Sequence, residues 1–191
     1  MKFKYLIVIL LGLVACSPTN DLTGDVNPLG DFRLGHIVAR TNTEMTKGPL
    51  SRHATNEEWA GALDVAFKNR FSRFSGTEIY HVGVTAEAYI LAVPGIPVVA
   101  APKSVLIFNV VVIENATQAI LTPKAHQMTI IESLSGGSII GSGYTQSKEE
   151  QLANLSEQAA RATEKWLRTQ PWFRDDKTGV IGVTEAAKSQ E

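Results

Sequence analysis

The chain has 191 residues, with 18 basic and 19 acidic side chains and a formal net charge of −1. That balance lacks the basic excess that a phosphate backbone selects, so nucleic acid is not an expected partner. Cys16 is the only cysteine, which excludes an intramolecular disulfide and leaves the core to hold by packing.

The chain opens with Lys2 and Lys4, followed by an apolar run from Tyr5 to Val14 interrupted by Gly12. Charge, apolar stretch and small residue, in that order, make a secretory signal, and about ten apolar residues fall short of the roughly 20 that span a bilayer. Residues 1–15 are read as a signal peptide. The stretch Leu13-Val-Ala-Cys16 resembles the lipobox of bacterial lipoproteins. That resemblance implies cleavage just before Cys16 and acylation of Cys16, with palmitate among the chains carried. Losing Lys2 and Lys4 would move the net charge to about −3. The implied partner is a membrane, reached through the N-terminal lipid on the periplasmic side of the cell envelope. Ser17, where an Asp would favour inner-membrane retention, points to the outer membrane over the inner. Elsewhere the most apolar stretch, Val105 to Ile113, is nine residues long, contains Asn109, and is too short to span.

Residues 16–30 are rich in Ser, Asn, Asp, Gly and Pro and carry few apolar groups, so they read as a tether. A single domain is expected over 31–173. Its first strand spans Asp31 to Arg40, with a polar loop over 41–54. Thr55-Asn-Glu-Glu58 matches a capping box and opens a helix over 56–74, whose stripe is Trp59, Leu63, Ala66, Phe67, Arg70, Phe71 and Phe74. A long strand follows between Thr77 and Val93. Pro94 to Pro102 withholds ladder donors at its prolines and reads as an extended apolar loop or edge segment. Ser104 to Ile113 is apolar on both faces, the pattern of a central strand covered on both sides. Two more strands are expected, one within Gln118 to Glu132 and one from Ser138 to Tyr144. Ser147-Lys-Glu-Glu150 is a second capping box, opening a helix over 148–170 with Leu152, Leu155, Ala159, Ala162, Trp166 and Leu167 inward. Trp172 and Phe173 should tuck back onto the domain, and 174–191 reads as a disordered tail. The element order predicts an α+β two-layer sandwich, a mainly antiparallel sheet of about five strands with two helices on one face.

The run Val93 to Val112, Ile131-Glu-Ser, the stretch Gly141-Ser-Gly-Tyr-Thr-Gln-Ser-Lys-Glu-Glu-Gln and the closing Trp166-Leu to Pro171-Trp-Phe resemble uncharacterised lipoproteins of Rhodobacter-like alphaproteobacteria. That likeness brings a lipoprotein expectation and no activity. In architecture the chain is also similar to auxiliary envelope lipoproteins that serve lipopolysaccharide assembly or transporters, and fold does not imply function.

No constellation for catalysis stands out. His36, His53, His81 and His126 are dispersed, with no HExxH and no ligand spacing, and the one cysteine is committed to lipid, so no metal site is expected. Gly136-Gly-Ser138 and Gly141-Ser-Gly143 do not fit a nucleophile elbow, and no phosphate-binding glycine motif is present. Asn115-Ala-Thr117 and Asn154-Leu-Ser156 match the glycosylation triplet by chance. No catalytic residue and no cofactor are expected. The reading is a non-enzymatic accessory or assembly factor that docks on another envelope protein. A lipid or glycolipid binding module, with a ligand between helices and sheet, is the alternative. A filled core with an apolar patch outside favours docking, and a cavity favours the module.

Overall fold

The structure is a computed structural model and describes residues 22, 24–93, 103–132 and 147–173. The elements run β1 (Phe32–Lys47), α1 (Asn56–Phe71), β2 (Glu78–Ile90), β3 (Val105–Glu114), β4 (His126–Ile131) and α2 (Lys148–Leu167), closed by a 3-10 turn at Pro171–Phe173. Both capping boxes form. The Thr55 hydroxyl accepts from the Glu58 amide at 3.2 Å while the Glu58 carboxylate accepts from the Thr55 amide at 2.8 Å. Ser147 and Glu150 repeat this at 3.1 and 2.8 Å. Each reciprocal pair satisfies two amides that a helix start would otherwise leave open.

The class is α+β and both helices lie on one face, but the sheet differs from the expected one. Among the described residues it has four strands in the order β1-β2-β3-β4, with β1 parallel to β2 and the other two pairings antiparallel, so it is mixed. The cause is α1: a strand, a helix and a second strand next to the first bring the chain back in its original direction. The fifth strand expected over 138–144 lies outside the described residues. β1 is also longer than expected, because residues 41–47, read as loop, continue along β2 with Thr46 opposite Ala88 and Lys47 opposite Tyr89 after a register shift. Their polar side chains suit an edge that water wets. β4 occupies His126–Ile131, after Pro123.

The two helices run in parallel. Lys148 pairs with Glu58 at their starts, and Arg70 with Glu164 at 2.8 Å near their ends. On α2 the buried residues are Gln151, Leu152, Leu155, Ser156, Ala159, Ala160, Thr163 and Leu167. The expected inward positions Ala162 and Trp166 are half-buried instead. Small side chains at 156, 159, 160 and 163 let α2 approach α1, which rotates its buried face away from the apolar stripe read in sequence.

Between helices and sheet the layer is filled by large rings. Trp59, Phe67, Phe71 and Phe108 are fully buried, with Phe67 edge-on to Phe108 at 6.4 Å. Phe32, the first residue of β1, stacks on Tyr80 at 5.4 Å and meets Phe71, Phe74 and Phe173 edge-on or tilted within 6.0 Å. Phe173 does tuck back: the Asp31 amide donates to its carbonyl at 3.0 Å. Gly30 makes this approach possible, since its φ is +53° and a Cβ there would lie 1.5 Å from the Phe173 oxygen. Leu29 is buried as well, so the core reaches into the segment read as tether.

Candidate functional site

Cys16 lies outside the described residues, as do Pro94 to Pro102 and the 174–191 tail. What the structure offers is two surfaces: the face of the sheet turned away from the helices, and the end of the domain where the chain comes in.

On the outer face the strands present a mixed surface. Val38, Gly83 and Val111 are in register across β1, β2 and β3, as are Arg40, Thr85, Asn109 and Gln127 across all four strands. Arg40 Nε donates to Thr85 Oγ1 at 3.2 Å. A bulge between Ala86 and Ala88 frees Glu87 from strand pairing, and its carboxylate accepts from Asn42 at 2.7 Å and Asn109 at 2.8 Å. Beside these polar groups stand exposed aliphatic ones, Val38 at 58%, Ile131 at 55% and Ile79 at 36% exposure. On β3 the outward side chains Val105, Ile107, Val111 and Ile113 are half-buried, so the strand expected to be covered on both faces is fully covered on one. The reason is the helix layer, which has a single side to pack on.

The parallel pairing of β1 and β2 brings two of the dispersed histidines together. His36 and His81 stack with ring centres 5.1 Å apart and planes 8° from parallel. His81 Nδ1 accepts the His36 backbone amide at 3.1 Å, which places the proton on Nε2, 2.9 Å from Asn115 Oδ1. Both nitrogens of His81 are thus engaged within the fold, and stacked rings do not converge on a common ligand. His126 stacks on Trp166 at 4.1 Å, and His53 lies apart. Sequence spacing could not reveal the His36–His81 contact, because it depends on the parallel register. Among the described residues no group of three or more His, Cys, Asp or Glu could hold a metal ion, and no helix is long and apolar enough to cross a membrane.

At the chain's point of arrival, Arg168 donates to the carbonyls of Asn27 at 2.8 Å and Pro28 at 2.9 Å, and Arg73 to that of Gly24 at 3.3 Å. Glu164 accepts from Arg70 and Arg168 together. Burial works to raise its carboxyl, but these two guanidiniums outweigh burial and hold it below the ordinary carboxylate range. A shallow groove of about 250 Å³ lies here, lined in part by Val26, Leu29, Phe32, Arg73 and Phe74. The phenol of Tyr80 is raised by burial first and then by the carboxylates of Glu114, Glu78 and Asp31.

No protein-family profile and no curated protein matches the chain. Among solved structures, it is similar to a candidate lipoprotein from Caulobacter crescentus at 8% identity and TM-score 0.38, over 74% of this chain and 90% of that one. A DUF330 protein from Xanthomonas campestris matches at 8% identity and TM-score 0.39, over 70% and 82%. The PelC dodecamer variant from Paraburkholderia phytofirmans matches at 10% identity and TM-score 0.35, over 71% and 87%. Likenesses at this level transfer neither activity nor partner.

Proposed function

We propose that the protein is a lipid-anchored component of the bacterial cell envelope, acylated at Cys16 and held on the periplasmic side, with the outer membrane favoured over the inner by Ser17. It is a non-enzymatic accessory or assembly factor, and its domain docks on another envelope protein through the outer face of the sheet. The observation that carries the docking part is the outward apolar row of Val105, Ile107, Val111 and Ile113 on β3, which keeps part of its surface on a face that the helices do not cover, with Val38 exposed on the same face. A layer filled by Trp59, Phe67, Phe71 and Phe108 supports docking over a lipid held between helices and sheet.

The anchor is tested by Cys16→Ser and fractionation. An uncleaved or soluble product is expected, because stable anchoring needs more than one buried chain at about 0.8 kcal/mol per methylene. A Cys16→Ser protein still cleaved before position 16 and held in the membrane as before removes the lipoprotein reading. Docking is tested by placing a photo-crosslinking residue at Val38 in native membranes. A discrete crosslinked protein obtained from Val38 and not from Val65 on α1 supports the reading; no crosslinked protein from Val38, or the same products in equal yield from Val65, overturns it.

A further inference from the structure

The end of the domain where the chain arrives carries a group of aromatic and aliphatic side chains. It gathers Trp166 and Trp172, whose rings meet at 5.7 Å, together with Ile120 at 60% exposure, Ile79 and Val26 at 36% each. These residues come from separate stretches of chain and meet here because β1 and β2 start, β3 ends and both helices end on this side. Ile120 sits in the turn after β3, bridged to Ile113. Trp172 lies beside the start of β2, where the Tyr80 hydroxyl donates to its carbonyl at 3.5 Å. Of the protein's three tryptophans, two are half-buried at this end, and the third, Trp59, is a fully buried core residue.

Tryptophan with an apolar body and a polar tip is the side chain that favours the boundary between hydrocarbon and water, and exposed isoleucine next to it adds affinity for the same layer. Charge here is mixed. Arg33 donates to the Thr77 carbonyl, Arg73 to that of Gly24 and Arg168 to Glu164, while the carboxylates of Asp31, Glu78 and Glu114 stand around Tyr80. A purely electrostatic seat is therefore not what this surface offers. The second argument is chain length. Arg73 holds the Gly24 carbonyl and Arg168 those of Asn27 and Pro28 at this end. Gly24 lies eight positions beyond Cys16, and a fully extended chain covers at most about 28 Å over that interval. An acylated Cys16 thus holds Gly24, at this end, within about 28 Å of the lipid, a bound that the opposite end of the strands does not share.

We propose that this end of the domain is a membrane seat, with Ile120 and Trp172 resting in the headgroup layer of the bilayer that holds the Cys16 lipid. The seat deepens the anchor reading and depends on it. It orients the molecule: β1 and β2 rise from the membrane, and the outer face of the sheet stands across the periplasmic space, open from the side.

The test uses the full-length acylated protein in phosphatidylethanolamine and phosphatidylglycerol vesicles. Nitroxide labels are placed through Ile120→Cys and, at the far end after β1, through Leu50→Cys, where exposure is 68%. Collision with a water-soluble relaxant is expected to be lower at 120 than at 50 by about threefold or more, as a residue within the headgroup boundary requires. Equal, high collision at both sites in protein that floats with the vesicles overturns the seat and leaves the anchor standing. Protein that does not float, with unmodified Cys16 by mass, overturns anchor and seat together. If label at 120 disturbs the turn, loss of Trp172 quenching by brominated lipid, read as the difference between the native protein and Trp172→Phe, decides the same question.

Discussion

Neighbouring residues on β3 meet different surroundings although they are chemically alike. Leu106, Phe108, Val110 and Val112 have no exposed surface, whereas Val105, Ile107, Val111 and Ile113, one peptide away on the other face, keep part of theirs. Composition does not separate the two sets. What separates them is that α1 and α2 lie side by side on one face, tied by Lys148 to Glu58 at one end and Arg70 to Glu164 at the other. Apolar residues in a strand thus report a demand for cover, and the helices answer that demand on one side.

The largest effect expected from this contrast is on the covered face. Phe108→Ala should cost about 3–5 kcal/mol, since it removes a ring packed against Phe67 and leaves a cavity, whereas Ile107→Ala should cost less than half of that. Urea unfolding midpoints measure both. Equal losses would mean that the outer face is as tightly covered in solution as the inner one.

Next in size is the tie that keeps the helices on one side. Arg70→Ala should destabilise by about 2–3 kcal/mol, because the Arg70 side chain is 6% exposed and its loss strands Glu164 with Arg168 alone. The same carboxylate carries a pH dependence. Its folded value lies below the ordinary 4.5, so the unfolded chain takes up a proton first on acidification. Its stabilisation is complete above about pH 4.5 and is lost as pH falls through the folded value. Thermal melts between pH 7 and pH 3 should show a smaller acid loss in Glu164→Gln than in the native protein. A loss of the same size in both would remove Glu164 from the account.

Smaller again are the caps. Thr55→Ala and Ser147→Ala should each cost about 1 kcal/mol, by unfolding with urea, because each removes an acceptor for a helix-start amide. If either cost nothing, water replaces that cap without loss and the capping box is incidental at that site. On the uncovered face Val38→Asp should change stability by no more than about 0.5 kcal/mol while abolishing crosslinks to a docked protein. A normal melt with unchanged crosslinks would exclude docking through Val38.

Much of the local structure was legible in the residues. Both capping boxes sit where Thr55 to Glu58 and Ser147 to Glu150 place them, because the motif satisfies its own amides within four residues. The α1 stripe of Trp59, Leu63, Ala66, Phe67, Arg70 and Phe71 is the buried set, with Arg70 accepted into the core through Glu164, a partner 94 residues away. Apolar periodicity is a poorer guide to the α2 face. Its inward positions include Gln151, Ser156 and Thr163, which apolar periodicity passes over, since close helix contact selects small side chains as much as apolar ones.

By itself, then, the sequence determined the local events: where helices start, which strands alternate, and a lipobox-like stretch ending at Cys16. Each depends on residues within a few positions of one another, so short-range sterics and hydrogen bonding suffice. Only the tertiary structure decided that β1 pairs in parallel with β2, that residues 41–47 extend β1, and that His36 meets His81. It also decided which apolar face of β3 stays open and which end of the domain gathers Trp166, Trp172 and Ile120. Those outcomes follow from pairing register and helix placement between stretches tens of residues apart, where the free energy of packing the whole layer, and no local preference, selects the arrangement.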